Sequence, residues 1–284
     1  MELLNKISAF LLEKGITHDT ETENGHSVVV AHTPKGKIVP ILPALMFSRS
    51  PEEAVRYAED LATFSRQIIS KTGERPFIIA QDRWESQGEM MKARLLAHLE
   101  VYDQIYARNC QVRRIDKQTA AEFLSSNHSY GDAACRYRYG LYLKRHTGHN
   151  TDSGKLPPDT LVAVATFSNA RKWTKGDKII RSYEWTRYAS LPGIRLSGGM
   201  GKLLKAFIEE VKPDDIMTYA DLEWSDGKVY EALGFSLEGH KAPVMFAVNL
   251  NDWSRSPLLD DRHDTRYFQN SGSNKYRLKL IDYQ

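Results

Sequence analysis

The sequence predicts an α+β fold in which a mixed sheet flanked by helices follows a smaller N-terminal α+β domain. Three patterns indicate this class: apolar residues at helical spacing, short apolar runs bounded by turns, and a glycine-rich segment with ordered elements after it, over residues 195–239. A chain of 284 residues with 41% hydrophobic and 26% charged residues can bury a sizeable core.

The first predicted elements are a helix and a hairpin. Leu3, Ile7 and Leu11 lie on one face of a helix that ends near residue 14. The runs 27–32 and 37–42 flank a Thr-Pro-Lys-Gly turn and predict a β-hairpin.

A second N-terminal helix is marked at both ends. Ser50, the proline after it and Glu53 form a capping sequence, and Gly73 gives the stop. A short buried strand over residues 76–81 and a helix over residues 86–102 are predicted to follow.

The second half alternates strands with helices. The predicted elements are a strand near 111–115, a helix over 117–126, strands near 139–144, 161–167 and 179–188, and a last alternating strand from Tyr276 to Leu280.

Composition and charge exclude several classes of protein. The formal net charge of +3 does not by itself indicate nucleic-acid binding. Cys110 and Cys135 form no Cys-x-x-Cys pair, so a thiolate metal site is not expected, and we predict no metal. The chain has neither a signal-peptide pattern nor an apolar run of roughly 20 residues, so we expect a cytoplasmic protein with no membrane partner.

The glycine-rich segment opens onto an amphipathic helix and is the most informative feature of the sequence. A helix N-terminus offers unpaired backbone N–H groups and a positive dipole end, which suit a pyrophosphate. Glycines also let a bulky ligand approach the backbone. The alternative is a mobile glycine-rich loop without a ligand. The predicted cofactor-binding residues are Leu196, Ser197, Gly198, Gly199, Met200, Gly201 and Lys202.

Residues 112–248 resemble a GNAT-type acyltransferase domain, in which such a turn holds the pyrophosphate of an acyl-coenzyme A. The family signature places Gln or Arg three residues before the first of two spaced Gly or Ala positions. In one register Arg195 precedes Gly198 at this spacing, but a methionine occupies the last position. In the other register both glycines are present and Leu196 replaces the Gln or Arg. The resemblance implies acetyl-CoA or another acyl-CoA as donor.

Scattered motifs also resemble the phage Mom family, whose members have a GNAT-like fold and modify adenine in DNA. This resemblance implies DNA as a partner and a nucleobase amine as acceptor. The same block is similar to a domain that follows the nuclease module in phage homing-endonuclease-like proteins. The motifs are Asn127 to Gly131, Gly140 to Tyr142, Tyr219 to Asp221, Gly227, Tyr230 to Ala232 and Phe235 to Gly239.

The N-terminal part is similar to the end of that nuclease module at Asp82 to Glu85. Nucleases of this type hold a divalent cation with two or more carboxylates. No acidic residue occurs between Val28 and Leu45, where the metal ligands would lie. We expect an inactive nuclease-like module or an unrelated α+β domain.

Four residues are candidates for the reacting centre, and each has a structural alternative. His128 follows a helix and is interpreted as a general base or as a cap. Asp221 ends a strand and either activates an amine or belongs to a loop. Tyr230 matches a GNAT position that protonates the departing thiolate, or it is a core aromatic. Regular alternation places Glu184 and Arg187 on opposite faces unless a bulge intervenes, so we expect one of them to face the site.

Cations interleaved with aromatic residues suggest a nucleic-acid surface, with a solvated strand edge and a basic loop as the alternative. The residues are Arg136, Arg138, Lys144 and Arg171.

The sequence therefore predicts a GNAT-like N-acyltransferase with an acyl-CoA donor. The rivals are a non-catalytic nucleic-acid-binding module of phage origin and an acyltransferase acting on a protein or a small amine. The predicted domains are residues 1–105, residues 106–250 with the GNAT-like fold, and a C-terminal extension, 251–284, packed on the second.

Overall fold

The structure is a computed structural model that describes residues 2–23, 25–145, 156–257 and 264–283. It confirms the α+β class, with several sheets and, in these residues, seven α-helices. The helices are α1 Glu2–Glu13, α2 Pro51–Thr72, α3 Gln81–Ser86, α4 Gly88–His98, α5 Lys117–Asn127, α6 Gly199–Val211 and α7 Lys228–Glu231.

The strands fall into a four-stranded sheet, an eight-stranded sheet and two small sheets. They are β1 His18–Glu23, β2 His26–His32, β3 Ile38–Ala44, β4 Phe77–Ala80, β5 Asp103–Tyr106, β6 Cys110–Arg114, β7 Tyr137–Leu143, β8 Leu161–Phe167, β9 Arg171–Lys175, β10 Lys178–Ser190, β11 Ile194–Ser197, β12 Asp215–Asp221, β13 Ser236–Lys241, β14 Met245–Asn249, β15 Arg255–Ser256, β16 Thr265–Gln269 and β17 Ser273–Lys279. No helix among the described residues is both long and apolar enough to cross a membrane.

The chain divides into two compact units of nearly equal length, each built from three segments. The domain boundaries predicted at residues 105 and 250 stay predictions. In the structure β14–β16 belong to the first unit, whereas Lys275 and the residues after it belong to the second. The first unit contains residues 1–100, 221–226 and 240–274, and the second contains residues 101–220, 227–239 and 275–284.

The first unit is built on the sheet β1-β2-β3-β4. The strands β2 and β3 are the predicted antiparallel hairpin, and β4 joins β3 in parallel. One apolar cluster joins α1 and α4 to the sheet through residues such as Ile7, Ile41 and Leu95. A second cluster joins α2 to the sheet and to β14 and β16, where Val248 and Phe268 pack.

Helix α2 begins and ends as its capping residues predict. The Ser50 side chain accepts a hydrogen bond from the Glu53 amide, and Gly73 adopts a left-handed conformation with φ of 72°. The helix predicted over residues 86–102 is present as α4, which is shorter and ends at His98, whereas α3 before it was not predicted. The backbone of Gln87 leaves the helical region between α3 and α4, where Gly88 adds no helix-forming side chain, and β5 follows from Asp103.

The second unit contains the sheet β13-β17-β12-β10-β8-β7-β6, with β9 paired to β10. Helix α5 covers one face, where Ala120 and Leu124 pack with Val164 of β8. Helix α6 covers the other face, where the Phe207 ring stacks on Phe167 at 3.9 Å between centroids. We call these the α5 face and the α6 face.

Candidate functional site

The strands β10 and β12 pair in parallel over only three residue pairs. Ser182 to Glu184 lie beside Asp215 to Met217, yet both strands continue. From Trp185 onward β10 pairs only with β8 on its other side. The Thr218 hydroxyl donates to the Trp185 carbonyl at 3.1 Å, which satisfies one backbone group that the ladder leaves unpaired. The sheet therefore has a gap between β10 and β12 beyond Glu184.

A β-bulge in β10 lies beside this gap. The pairing with β8 shifts between Trp185, whose register partner is Phe167, and Arg187, whose register partner is Thr166. Because Phe167 lies on the α6 face, Trp185 shares that face, and its neighbour Glu184 points to the α5 face. The register also places Arg187 on the α5 face, opposite Thr166. The extra residue thus brings Glu184 and Arg187 to one face, where the regular alternation assumed from sequence separates them.

Three cross-strand neighbours form a polar row on the α5 face. Arg138 of β7 pairs with Thr166 of β8, and Thr166 pairs with Arg187 of β10. The Thr166 hydroxyl also bonds the hydroxyl of the bulged Thr186 at 2.8 Å. Side chains opposite each other in neighbouring strands lie on the same face, so the two guanidinium groups belong to one surface.

The loop after α5 lies against this row. The Arg187 Nε donates to the Gly131 carbonyl at 3.2 Å, and its guanidinium lies 5.9 Å from the Tyr130 ring centroid. The Arg138 Nη2 donates to the Cys135 carbonyl at 2.8 Å. Burial lowers the pKa of Arg187, and the Glu184 carboxylate offsets part of this effect. The same burial raises the pKa of the Cys135 thiol, which keeps it protonated.

His128 takes the helix-cap position that the structural alternative predicted. Its amide donates to the Leu124 carbonyl at 2.8 Å at the end of α5. The ring Nδ1 accepts a hydrogen bond from the Tyr130 amide at 3.1 Å. A neutral ring whose Nδ1 accepts carries its proton on Nε2, so in this arrangement the outer nitrogen is a donor.

Tyr230 lies in α7, and its ring is part of the aromatic core on the α6 face. The centroid distances are 6.1 Å to Trp185 and 5.7 Å to Tyr276. Burial raises the pKa of the phenol, and a hydrogen bond with the Thr218 side chain acts in the opposite direction. Since Thr218 also bonds the Trp185 carbonyl, the Tyr230 hydroxyl lies at the strand gap as a protonated group. The position matches the core-aromatic alternative, and the role as a proton donor stays a prediction.

The glycine-rich segment combines a strand end with a helix start. Leu196 and Ser197 belong to β11, which pairs in parallel with β5. Gly198 has φ of 75° and precedes α6 as its cap, a conformation that disfavours other residues. In the described part of the chain, no side chain caps the first turn of α6. The amides of Gly199, Met200 and Gly201 thus have neither an intrahelical nor a side-chain cap partner.

Two residues of this segment have structural roles that the sequence did not indicate. A Cβ atom on Gly199 would lie 2.9 Å from the Leu196 Cβ and 3.4 Å from the Tyr188 hydroxyl, so internal packing requires glycine there. The Lys202 ammonium donates to the carbonyls of Ala107 at 2.9 Å and Cys110 at 2.6 Å, which ties α6 to the segment before β6.

Asp221 has the contacts of a turn. Its carboxylate accepts from the Glu223 amide at 3.0 Å, and its carbonyl accepts from the Ser225 amide at 2.9 Å. Residues 221–226 belong to the first unit, whereas His128, Glu184 and Tyr230 belong to the second.

Glu223 is a buried acid for which the sequence gave little signal. The residue is 1% exposed, and burial, followed by the negative charge of Asp221, raises the pKa of its carboxyl to about 8. Nearby in the same unit, Asp82 and Arg255 form a bidentate ion pair at 2.6 and 2.7 Å. The Asp82 carboxylate is therefore already paired with an arginine. Over the described ranges, no group of three or more His, Cys, Asp or Glu side chains is placed to hold a metal.

The four basic residues predicted to bind nucleic acid are spread over the second unit. Arg136 precedes β7 and Lys144 follows it, which separates them by roughly 26 Å along the strand. Arg171 lies on β9, and Arg138 is the half-buried member of the polar row. The tyrosines between them stack with arginines of β6, as Arg113 does with Tyr142.

No protein-family model matches the chain, and no curated protein matches it. Solved structures of acetyltransferases are similar to it at low identity. A GNAT-family acetyltransferase from Bacillus anthracis has 13% identity and a TM-score of 0.31, with 60% of this chain and 95% of that one covered. An N-acetyltransferase from Staphylococcus aureus Mu50 has 11% identity and a TM-score of 0.33, with 61% and 99% covered.

A protein from Salmonella typhimurium, solved with its cofactor acetyl-CoA, has 14% identity and a TM-score of 0.35, with 62% of this chain and 96% of that one covered. Because these TM-scores are low, the similarity alone establishes neither the fold nor the activity.

Proposed function

We propose that the second unit transfers an acyl group from an acyl-coenzyme A to an amine. The observation that carries this proposal is the gap between β10 and β12. It begins at Glu184, next to the polar row, and β10 continues along it to Tyr188, whose hydroxyl would lie 3.4 Å from a Cβ atom on Gly199 at the start of α6. A donor bound on the α6 face and an acceptor bound on the α5 face would meet through it.

The start of α6 fits the pyrophosphate of such a donor. The helix has 13 residues, its first turn lacks a side-chain cap, and Gly198 is exposed. Three amides directed along the helix axis and the positive end of the dipole favour an anion. Lys202 supports the segment through its carbonyl contacts rather than by meeting the ligand with its ammonium.

The bound donor supplies a thioester, whose carbonyl carbon is the electrophile and whose sulphur is the leaving group. We assign Glu184 as the group that accepts a proton from the acceptor nitrogen as the new C–N bond forms. When the C–S bond breaks, the Tyr230 hydroxyl donates its proton to the sulphur, and solvent later reprotonates the phenolate. His128, whose Nδ1 accepts from the Tyr130 amide, is a positioning residue for the loop rather than the base.

The structure offers little support for a nucleobase amine in DNA, which is the acceptor that the Mom resemblance implies. A duplex contacts a continuous cationic surface, because phosphate contacts supply most of the affinity. The four predicted basic residues do not form one such surface in the second unit. A small amine is therefore the acceptor that we favour.

Calorimetric titration of the protein with acetyl-CoA and with coenzyme A tests the donor site. Gly201 is the position to change, because a Cβ there would meet only the flexible end of the Leu233 side chain, at 3.3 Å. Gly201→Glu introduces a negative charge into the first turn, and Gly201→Gln introduces the same shape without the charge. We expect micromolar binding to wild type and at least roughly tenfold weaker binding to the Glu variant than to the Gln variant.

Absence of binding to wild type would refute the proposed function. Equal binding by the two Gly201 variants would remove α6 as the pyrophosphate site.

Replacement of the Tyr230 hydroxyl tests the assigned proton donor. Tyr230→Phe should lower kcat by roughly 10²- to 10⁴-fold while the KM for acetyl-CoA stays within a few-fold, because the ring packing is retained. The matched control is Tyr276→Phe, which removes a phenol from the same aromatic cluster. Release of the coenzyme A thiol is the measurement, and equal kcat values for the two variants would contradict the assignment.

A further inference from the structure

We propose that the acceptor is a small zwitterion, an amino acid or a close analogue, whose carboxylate binds Arg187 and Arg138 on the α5 face. This inference rests on the proposed function, because it names the substrate class of the same site.

Arg187 is a half-buried guanidinium with no carboxylate at ion-pair distance among the described residues. Its hydrogen bonds go to two backbone carbonyls, from Nε to Gly131 at 3.2 Å and from Nη1 to Thr186 at 2.8 Å. Among the described residues it forms no ion pair within 4.0 Å. A partly buried cation is costly when it is unpaired, and a guanidinium has five donors of which these bonds use two. Donors therefore remain for an external anion.

Arg138 adds a second guanidinium to the row. Its Nη2 bonds the Cys135 carbonyl, but its Nε is buried and has no hydrogen-bond partner in the described part of the chain. Thr166 lies between Arg138 and Arg187 in register, so their Cα atoms are about 10 Å apart, two strand spacings. Thr166 itself is fully buried, so a carboxylate would bind at the outer ends of the two guanidinium groups. Side chains of this length can converge on one carboxylate, which accepts from several donors at once.

The same surface carries two acids, which determine the charge of the ligand. The Glu184 carboxylate and, less strongly, the Asp132 carboxylate raise the pKa of the Arg187 guanidinium. The Asp132 Oδ1 is buried without a hydrogen-bond partner among the described residues. Two cations and two anions give no net charge. A simple anion would be repelled by both acids, and a simple cation would be repelled by both arginines. A zwitterion can place its carboxylate near the arginines and its ammonium near the acids.

The position of Glu184 determines the orientation of the bound acceptor. Glu184 is the last β10 residue that pairs with β12, so it lies where the strand gap begins. An amine near Glu184 is at the gap, and a carboxylate near Arg187 and Arg138 lies further along the row. The proton that leaves the amine then passes to Glu184, as assigned above.

Binding and transfer measured separately test this inference. Calorimetry at saturating coenzyme A compares a panel of L-amino acids with their carboxamides, the corresponding decarboxylated amines, and acetate. We expect at least one amino acid to bind, with its carboxamide, its amine and acetate roughly tenfold or more weaker, since charge-assisted hydrogen bonds are lost. Thiol release with acetyl-CoA should rank the compounds in the same order.

Substitutions in the polar row test where the carboxylate of the amino acid binds. Arg187→Met should raise the KM for the amino acid by about 10- to 100-fold with a smaller change in kcat, and Arg187→Lys should recover part of the loss. Lys172→Met, which removes an exposed cation of β9, is the control and should behave as wild type.

The outcomes separate the two proposals. If acetyl-CoA binds but carboxamides or amines are bound and acylated as well as amino acids, the zwitterion inference is overturned and the proposed function stands. If amino acids bind through Arg187 but no thiol is released, the binding site stands and the proposed function fails. An unchanged KM for Arg187→Met would also overturn the inference.

Discussion

Each unit contains an arginine that is partly or fully buried, and the two arginines have different surroundings. In the first unit Arg255 is paired with Asp82, and their side chains are 5% and 1% exposed. The Arg255 guanidinium also lies 4.9 and 4.8 Å from the ring centroids of Phe246 and Phe268. In the second unit Arg187 bonds only backbone carbonyls and has no carboxylate partner among the described residues. A buried cation whose counter-ion lies in the same chain supports the fold, whereas one without it is available to a ligand.

Breaking the paired arginine should give the largest effect. Asp82→Leu leaves the Arg255 guanidinium buried without its counter-ion, which should lower the free energy of unfolding by roughly 3–5 kcal/mol. Urea unfolding followed by circular dichroism measures this change.

The double variant Asp82→Leu/Arg255→Met removes both charges and is the control for this pair. It should recover most of the loss, because no unpaired charge remains. A loss below about 1 kcal/mol for the single variant would mean that the pair does not stabilise the first unit.

Glu223 extends the comparison of buried charges to the pH dependence of stability. Its folded-state pKa of about 8 lies above the ordinary value of 4.5, so the folded protein holds this proton between those pH values while the unfolded chain has lost it. Stability should therefore fall as pH rises from 5 to 8, by up to about 4 kcal/mol.

Glu223→Gln should remove this part of the pH dependence, because the amide does not titrate. Glu209→Gln, which changes an exposed acid of α6, should retain it. Parallel stability curves for wild type and Glu223→Gln would show that the carboxyl does not control the slope.

The smallest effect on stability is expected at the unpaired arginine. Arg187→Met loses two hydrogen bonds to carbonyls but no ion pair, and it relieves the burial of a charge, so the free energy of unfolding should change by less than about 1 kcal/mol. Arg255→Met, measured beside it, should be clearly more destabilising. Equal losses for the two variants would remove the distinction between the arginines.

Local patterns in the sequence predict much of the fold, because they depend on nearby residues. The Ser50 cap, the Gly73 stop and the hairpin of β2 and β3 all lie where the sequence indicates. Helix α3 was missed, and α4 ends at His98 rather than at the predicted residue 102. The strands β14 to β16 were also missed, because their apolar residues are buried by packing against α2, which is distant in the sequence.

The candidate site was less predictable, because it depends on register. The shared face of Glu184 and Arg187 requires a bulge that arises from pairing with β8, and no local pattern in β10 marks it. The glycine at position 199 was interpreted as space for a ligand, yet its neighbours are Leu196 and Tyr188. Asp221 was correctly placed at a strand end, but its contact with Glu223 could not be read from the sequence.

The division of the first unit into three segments has a consequence for synthesis of the chain. Its core includes Val248 and Phe268, and its buried ion pair joins Asp82 to Arg255. A ribosome must therefore complete most of the polypeptide before the first unit can close, and the N-terminal sheet is made long before its last partners emerge. We expect a nascent chain stalled after residue 230 to be protease-sensitive in the first unit, and a fragment of residues 1–105 to aggregate where the full chain stays dispersed.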